Sequence, residues 1–351
     1  MLDLTQDVRA LTAAIVDIES VSGGEQALAD AVEQALSALP HLKVDRSGET
    51  VVARTHLDRA ERVLIAGHLD TVPVAGNLPS RVEGEQLFGC GTSDMKAGVA
   101  VALKLAAAVP APARDVTYVF YDCEEVEAAR NGLNRVARDH ADWLRADFAV
   151  LMEPTDGVIE GGCQGTLRAE VAVTGKRAHS ARSWFGVNAI HGIEPVLARL
   201  NAYEPRRPVV DGLEYHEGLN AVGVRGGVAG NVIPDLCVVT VNYRFAPDLT
   251  IEQAQEHVLE VFEGFAVSFV DAAAGARPGL THPVAAAFTA AVGGVPRAKL
   301  GWTDVSRFSA LGVPAVNYGP GDPNLAHQQG EYVMLPKIVE CERAMLGWLT
   351  G

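Results

Sequence analysis

Short apolar runs alternate with stretches of helical spacing over the first 150 residues of the chain. The short runs are typical of buried strands, and apolar residues three or four positions apart are typical of helices that pack on a sheet. Strands are predicted at residues 51–53, 63–66, 115–122 and 148–152, and helices at residues 8–18, 27–36 and 99–108. Strands that alternate with helices favour an α/β fold with a mostly parallel sheet flanked by helices.

The pattern changes after Gly165 and then returns. Strands are predicted at residues 168–174, 220–227, 236–245 and 266–270, with helices at residues 186–200 and 250–264. This strand–helix–strand–strand–helix–strand order is typical of a small α+β sandwich. We therefore expect an inserted domain at residues 166–274, and a first domain made of residues 1–165 and 275–351. The returning part carries a predicted helix at 283–292, a strand at 314–317 and a final helix from residue 333.

Composition narrows the class of protein. The chain has 351 residues, with 29 Lys and Arg against 44 Asp and Glu, so the net charge is 29 − 44 = −15. This charge disfavours nucleic-acid binding, which needs clustered cations. No apolar stretch approaches the roughly 18 residues that a membrane span needs, and the acidic N-terminal residues do not resemble an export signal. The five cysteines are scattered without a CxxC pair, which favours a reducing cytoplasm over a disulfide framework.

Acids and histidines follow the predicted strands where parallel strands would end together. His68 and Asp70 follow the strand at 63–66, and Glu124 and Glu125 follow the strand at 115–122. Asp94, Glu153 and His327 complete the set. The candidate metal ligands are His68, Asp94, Glu125, Glu153 and His327. Two imidazoles and three carboxylates hold two divalent ions if one carboxylate bridges, and this nitrogen and oxygen set fits zinc, with cobalt or manganese as alternatives. Taken singly, each has a simpler interpretation: a structural histidine, a helix-capping Asp or a solvated acidic turn.

The Glu124-Glu125 pair adds a catalytic possibility. One carboxylate can bind metal while its neighbour accepts a proton from water.

Five sequence blocks together carry a resemblance to a known family. HLDTVP, GCGTSDMKAG, DCEEVE, MEP and AHQQGE, which begin at His68, Gly89, Asp122, Met152 and Ala326, resemble the motifs of the dinuclear zinc amidohydrolases. That family includes desuccinylases, acetylornithine deacetylases, aminoacylases and carboxypeptidases. The blocks occur in the family's order, and the predicted insert falls where the family has a lid and dimerisation domain.

The resemblance implies a role for each residue of the predicted metal site. Asp94 would bridge the metals, His68 and Glu153 would complete one site, and Glu125 and His327 the other. Asp70 would orient His68. A water held between two zinc ions would attack the amide, with Glu124 as general base and then as proton donor to the leaving amine. The Asp94–Met95 peptide bond would be cis.

The resemblance also implies substrate contacts and a homodimer formed through the insert. His179, in TGKRAHS, would reach the active site of a partner subunit and stabilise the oxyanion, and Asn231, in GNVIP, would act there too. Arg244 and Arg307 would bind substrate carboxylates, with Thr303 in the same block as Arg307. A surface histidine and surface ion pairs are the simpler interpretations.

Within the family, the segments GGCQGTLR, RAHSARSW, GNVIPD, NYRFAPD and GWTDVSRF resemble those of desuccinylases of the actinobacterial type. The implied reaction is hydrolysis of the acylated amino acid N-succinyl-LL-2,6-diaminopimelate. Other desuccinylases carry an arginine-rich stretch where this chain has Cys163-Gln164-Gly165. An acetylornithine deacetylase or another N-acyl-amino-acid hydrolase therefore stays open, as does a non-catalytic metal-binding scaffold.

Overall fold

The computed structural model describes residues 2–351, and the chain divides into two compact units. The first unit runs up to Gly161 and includes Pro278–Arg297 and Arg307–Gly351; the second comprises Gly162–Arg277 and Ala298–Ser306. Residues 298–306 thus lie in the second unit, whereas the hydrophobic pattern assigns them to the first domain.

The secondary structure alternates as the pattern predicts, and its bounds are as follows. Over the described residues the α-helices are α1 (Val8–Val16), α2 (Gln26–Ser37), α3 (Ala97–Ala108), α4 (Gly132–Asp139), α5 (Glu194–Asn201), α6 (Ile251–Val261), α7 (Pro283–Val292), α8 (Val305–Ala310) and α9 (Leu335–Thr350). The strands are β1 (Lys43–Ser47), β2 (Thr50–Arg54), β3 (Arg62–His68), β4 (Arg81–Glu83), β5 (Gln86–Phe88), β6 (Asp115–Tyr121), β7 (Phe148–Leu151), β8 (Glu160–Gly161), β9 (Gly165–Thr174), β10 (Ala178–His179), β11 (Val209–Val210), β12 (Leu213–Glu214), β13 (Gly218–Gly226), β14 (Val232–Ile233), β15 (Leu236–Phe245), β16 (Ala266–Ala273), β17 (Arg297–Ala298), β18 (Ala315–Asn317) and β19 (Tyr332–Met334).

The first unit is built on an eight-stranded sheet of order β1-β2-β6-β3-β7-β18-β8-β17. Its centre is parallel, since β3 runs parallel to both β6 and β7, and β7 runs parallel to β18. The outer strands β1 and β2 are antiparallel. The predicted fold class, an α/β protein with a mostly parallel sheet, is confirmed.

The parallel centre brings three strand ends to one edge of the sheet. Every residue of β6 and β7 is buried, as is β3 from Val63 onward, as expected for strands covered by helices on both faces. His68 pairs in register with Tyr121, and Ala66 pairs with Leu151. The residues that follow these strands therefore meet at the carboxyl edge, where α/β proteins bind their ligands.

A small antiparallel sheet of order β19-β5-β4 also belongs to the first unit. Tyr332 pairs with Phe88, so the start of β19 lies beside the end of β5. This sheet was not predicted, because strands of three residues are too short to show a two-residue period. Residues 332–334 form β19, and the last helix therefore begins at Leu335.

The second unit is an antiparallel sheet of order β13-β15-β9-β16 with two main helices, α5 and α6. The order β9, α5, β13, β15, α6, β16 is the predicted one. Thr250 caps α6 in a capping box with Gln253, which explains why that helix was predicted well.

One predicted helix, at residues 186–200, is wrong over its first half. Val187 instead pairs with Lys176 in an antiparallel bridge, and regular α5 begins only at Glu194. Asn188 Oδ1 accepts the Ile190 N–H at 2.9 Å, which opens a short turn ahead of the helix.

Among the described residues, none of the helices combines the length and the apolar character that crossing a bilayer requires.

Candidate active site

A first group of candidate metal ligands consists of His68, Asp94 and Glu153. His68 is the last residue of β3, Glu153 lies two residues beyond β7, and Asp94 lies just before α3. His68 Nε2 is 3.2 Å from Asp94 Oδ1, and the three candidate ligand atoms all lie within 4.8 Å of one another. These residues are therefore close enough to bind one ion.

A second group consists of Asp94, Glu125 and His327. His327 Nε2 is 2.8 Å from Glu125 Oε1 and 3.6 Å from Asp94 Oδ2. The His327 side chain is 51% exposed, whereas Glu125 is 10% exposed. Asp94 belongs to both groups and turns a different oxygen toward each histidine, which is the arrangement that a bridging carboxylate requires.

Two glycines allow the loop that carries Asp94 to take this position. Gly91 has φ +77°, a left-handed conformation that favours glycine. At Gly98, in the first turn of α3, a Cβ atom would collide with the carbonyl of Met152. The helix start thus packs directly against the residue before Glu153. The Asp94–Met95 peptide bond is cis, as the resemblance implies.

Asp70 is fully buried and contacts several parts of the site. Its Oδ1 accepts the Glu124 N–H at 2.9 Å, and its Oδ2 accepts the Glu125 N–H at 3.0 Å. Oδ1 is 3.5 Å from His68 Nδ1, but the backbone carbonyl of Asp70 is nearer to that nitrogen, at 3.0 Å. Burial acts to raise the pKa of Asp70, but contact with His68 and with these N–H groups outweighs it and lowers that pKa. Asp70 is therefore a carboxylate that holds the backbone of the Glu124-Glu125 turn.

Glu124 lies on this turn, after the positive-φ residue Cys123. An oxygen of its carboxylate lies within 4.8 Å of ligand atoms of both His68 and Glu125. Glu124 is thus near enough to the metal ligands to exchange a proton with a water held there, and the same distances also allow it to bind metal.

The electrostatics of the two groups favour positive charge. Burial disfavours charge on His68, but hydrogen bonds to Asp70 and Asp94 raise its pKa well above the usual value. Hydrogen bonds to Asp94 and then to Glu125 raise the pKa of His327 to about 10. Burial acts to raise the pKa of Asp94, but the hydrogen bonds with His327 and His68 outweigh it and lower that pKa. A divalent cation suits such a site, and donors limited to imidazole nitrogen and carboxylate oxygen fit zinc, cobalt or manganese.

His179 and Asn231 lie together in the second unit. His179 pairs with Val232 between β10 and β14, and the Ser180 N–H donates to the Asn231 carbonyl at 2.9 Å. His179 Nδ1 accepts the Ala181 N–H at 3.0 Å. A neutral ring in this contact carries its proton on Nε2, so the exposed edge of His179 is a hydrogen-bond donor.

The remaining predicted substrate residues have different surroundings. Arg244, on β15, is half-buried, and its guanidinium has no acceptor among the described residues of its unit. Thr303 is buried in the second unit, where its carbonyl accepts the Ser306 N–H at 3.1 Å. Arg307 belongs to the first unit and donates to Asn134 Oδ1 at 2.7 Å.

Two residues that contact the site were not predicted. Ser22 donates its hydroxyl to Asp70 Oδ2 at 2.7 Å, and Glu331 accepts hydrogen bonds from the backbone beside Asp94. Ser22 gives no signal, because a serine beside two glycines predicts only a turn. Glu331 gives a weak one, since it is an acid in the same block as His327.

Comparison with known proteins adds relatives of similar length. A Mycobacterium tuberculosis protein provisionally named succinyl-diaminopimelate desuccinylase DapE is 58% identical, with 100% of both chains covered. A Corynebacterium glutamicum protein named succinyl-diaminopimelate desuccinylase is 47% identical, with 99% of this chain and 98% of the relative covered. The structure resembles a Staphylococcus aureus tripeptidase with a TM-score of 0.80 and 19% identity, covering 100% of this chain and 98% of that one.

Residues 64–350 match the peptidase family M20/M25/M40, so the match includes every residue of both metal-ligating groups. The resemblance predicted from the five sequence blocks is confirmed. The chain belongs to the peptidase family M20/M25/M40 and is a metal-dependent amide hydrolase.

Proposed function

We propose that this chain hydrolyses N-succinyl-LL-2,6-diaminopimelate to succinate and LL-2,6-diaminopimelate. The observation that carries the proposal is Asp94, whose two carboxylate oxygens face two different histidines, 3.2 Å from His68 and 3.6 Å from His327. Relatives at 58% and 47% identity that are named for this reaction support the choice of substrate.

In this proposal the site would take two zinc ions, for which Co²⁺ or Mn²⁺ could substitute. His68 and Glu153 would hold one ion, Glu125 and His327 would hold the other, and Asp94 would be shared by both. The donor set supports this assignment, because it gives each ion one imidazole and one carboxylate besides the bridge. Bound divalent ions would supply a polarised amide carbonyl and a water of lowered pKa.

Glu124 acts as the general base and then as the acid. Its carboxylate takes a proton from the attacking water, and the water oxygen bonds to the succinyl carbonyl carbon. When the C–N bond breaks, Glu124 returns the proton to the leaving amine nitrogen. The water is thereby divided between succinate and the free amine of diaminopimelate. The contact of the Glu124 N–H with Asp70 supports this role, since it fixes the base beside the metal ligands.

His179 stabilises the oxyanion that forms on the carbonyl oxygen, and it does so in the active site of a partner subunit. Its Nε2–H is directed away from the Ala181 contact and is free to donate, which is what an oxyanion requires. Asn231 lies beside it and binds the same substrate.

The second unit has an edge strand suited to form a homodimer. β13 is the outermost strand next to β15, and its residues from Asn220 onward are exposed, including Val222 and Val224. An unprotected edge with apolar side chains favours pairing with another strand, and two copies of β13 would pair around a two-fold axis. Trp184, 73% exposed in the turn after His179, adds apolar surface.

Mixing two inactive variants tests whether His179 acts across this interface. Glu124→Gln and His179→Ala will each be nearly inactive alone, but a mixed dimer has one site with both residues intact. Refolding the two variants together in equal amounts is expected to restore about a quarter of the wild-type rate, since half of the dimers are mixed and each has one working site. No recovery, or a monomer in sedimentation equilibrium, would contradict the proposal.

Arg244 binds a carboxylate of the substrate. Burial and then repulsion from Arg168 lower the pKa of Arg244, so its charge is poorly compensated within its own unit. A carboxylate would supply two parallel hydrogen bonds. Thr303 and Arg307 contribute further substrate contacts, and Asn134, which already binds Arg307, holds that side chain in place.

Arg244→Met is expected to raise KM about tenfold with little change in kcat, because a charged hydrogen bond is worth about 1.5–3 kcal/mol. Steady-state kinetics with the succinylated substrate would measure the change. Arg277→Met is the matched control, since Arg277 is 58% exposed and forms an ion pair with Asp211. Equal effects from both substitutions, or an unchanged KM in Arg244→Met, would rule out this role.

The assay that tests the proposed function compares kcat/KM for N-succinyl-LL-2,6-diaminopimelate with that for N-acetylornithine, with and without a chelator. We expect higher efficiency on the succinylated substrate, and loss of activity after chelation that added Zn²⁺ restores. Higher efficiency on N-acetylornithine would overturn the proposed choice of substrate. Metal binding without hydrolysis of either amide would favour a non-catalytic scaffold.

The proposed location is the cytoplasm. All five cysteines are buried free thiols, which supports a reducing compartment.

A further inference from the structure

A buried carboxylate that is not among the predicted metal ligands lies directly against the loop that carries Asp94. Glu331 is only 2% exposed. Its Oε1 accepts the Ser93 N–H at 2.7 Å and the Asp94 N–H at 3.0 Å, and its Oε2 accepts the Gly91 N–H at 3.0 Å. Both oxygens are thus committed to the backbone of one short loop.

The small sheet explains how Glu331 reaches this loop. Glu331 immediately precedes β19, and β19 pairs with β5, which leads into the loop. The pairing continues beyond the strands, because the Gly89 N–H donates to the Glu331 carbonyl at 3.2 Å. Backbone pairing therefore fixes the position of the Glu331 backbone relative to Gly91 and Asp94, independently of the contacts of its side chain.

The three N–H groups that Glu331 accepts lie ahead of α3, which begins at Ala97, so no regular helix binds them. Burying a carboxylate is costly unless hydrogen bonds compensate for the lost water, and these three offset part of that cost. One of them is the N–H of Asp94 itself. The position of the Asp94 backbone, and hence of the carboxylate between His68 and His327, thus depends on Glu331.

Glu331 also connects two parts of the metal site. It lies four residues after His327, so the segment that provides a histidine for one group provides the support for the carboxylate shared by both. Ser93 Oγ adds a second link, because it donates to the Asp322 carbonyl on the same segment at 2.8 Å.

We propose that Glu331 is a positioning residue of the metal centre, which holds Gly91, Ser93 and Asp94 so that Asp94 spans His68 and His327. This inference rests on the proposed two-metal function. Both oxygens of the Glu331 carboxylate accept backbone N–H groups, so Glu331 acts through the backbone of the loop.

Glu331→Gln tests the inference, since glutamine has the same shape but replaces one acceptor oxygen with a donor NH₂ that would face a backbone N–H. Calorimetric titration of the metal-free protein with Zn²⁺ is expected to give about tenfold weaker binding, as for other residues that support metal ligands. The absorption spectrum of the Co²⁺-loaded variant should change, and kcat should fall while KM stays within about threefold. Added Zn²⁺ should restore part of the rate.

Glu85→Gln is the matched control, because Glu85 is exposed beside the small sheet and makes no ion pair among residues 2–351. It is expected to match wild type in metal affinity, spectrum and rate. Wild-type affinity and spectrum in Glu331→Gln would overturn the inference. If that variant does not fold, Glu331→Asp replaces it, since the shorter side chain cannot reach all three N–H groups; wild-type affinity in this variant would be equally decisive.

A different experimental result would refute the proposed function. A wild-type chain that binds fewer than two metal ions, or hydrolyses no acylated amino acid, would refute the two-metal function, whatever the variant does. Normal metal binding and hydrolysis in the wild type, together with an unaffected Glu331→Gln, would refute only the role of Glu331.

Discussion

Replacing Glu124 with glutamine is expected to lower kcat by about 10²- to 10⁴-fold, the usual contribution of a general base, while both metal ions stay bound. Glutamine keeps the shape of the side chain and leaves the Glu124 N–H bonded to Asp70. It cannot accept the proton of the attacking water or return one to the amine. The loss should therefore appear in kcat, with metal content measured by elemental analysis unchanged.

Two neighbouring glutamates provide the comparison. Glu127→Gln changes an exposed acid three residues away, and it should leave both rate and metal content unchanged. Glu125→Gln alters a predicted ligand and should lower metal affinity. A Glu124→Gln enzyme that keeps a substantial rate would refute the general base. One that loses metal would make Glu124 a ligand, which its distance from His68 and Glu125 also allows.

Four of the five candidate metal ligands are predicted from the sequence because each lies next to an element that is recognisable locally. His68, Glu125 and Glu153 follow apolar runs that form β3, β6 and β7, and adjacent parallel strands bring their ends together. Asp94 precedes a helix with clear periodicity, which is also recognisable. His327 lies in a turn-rich segment, and the family resemblance is what relates it to the others.

The sequence does not predict the side chains that support the candidate ligands through hydrogen bonds. Ser22 and Glu331 act through hydrogen bonds to Asp70 and to the loop at 91–94, and these depend on how distant loops pack. The turn before α5 shows the same limit, because the sequence predicts a helix over residues 186–200 but Val187 pairs with Lys176. Tertiary pairing overrides local propensity there.

The structure changes what Asp70 is expected to do. From the sequence, its carboxylate orients His68, but the backbone carbonyl of Asp70 is the nearer partner of His68 Nδ1, at 3.0 Å against 3.5 Å. Substitution of the side chain leaves that carbonyl in place. The stronger contacts of the carboxylate are with the N–H groups of Glu124 and Glu125, at 2.9 and 3.0 Å. Asp70 therefore supports the proposed base, Glu124, and the candidate ligand Glu125 of the second group, besides His68.

Asp70→Ala is expected to weaken metal binding about 10- to 100-fold and to lower kcat at least tenfold even when excess Zn²⁺ fills the site, because Glu124 loses its backbone anchor. Titration of the metal-free enzyme and kinetics at saturating metal would separate the two effects. Ser22→Ala is the control, since it removes the 2.7 Å hydrogen bond to Asp70 and a longer one to the Thr71 carbonyl but leaves both glutamate contacts. If saturating Zn²⁺ restored the full rate, Asp70 would act on metal affinity alone; unchanged affinity and rate would remove it from the mechanism.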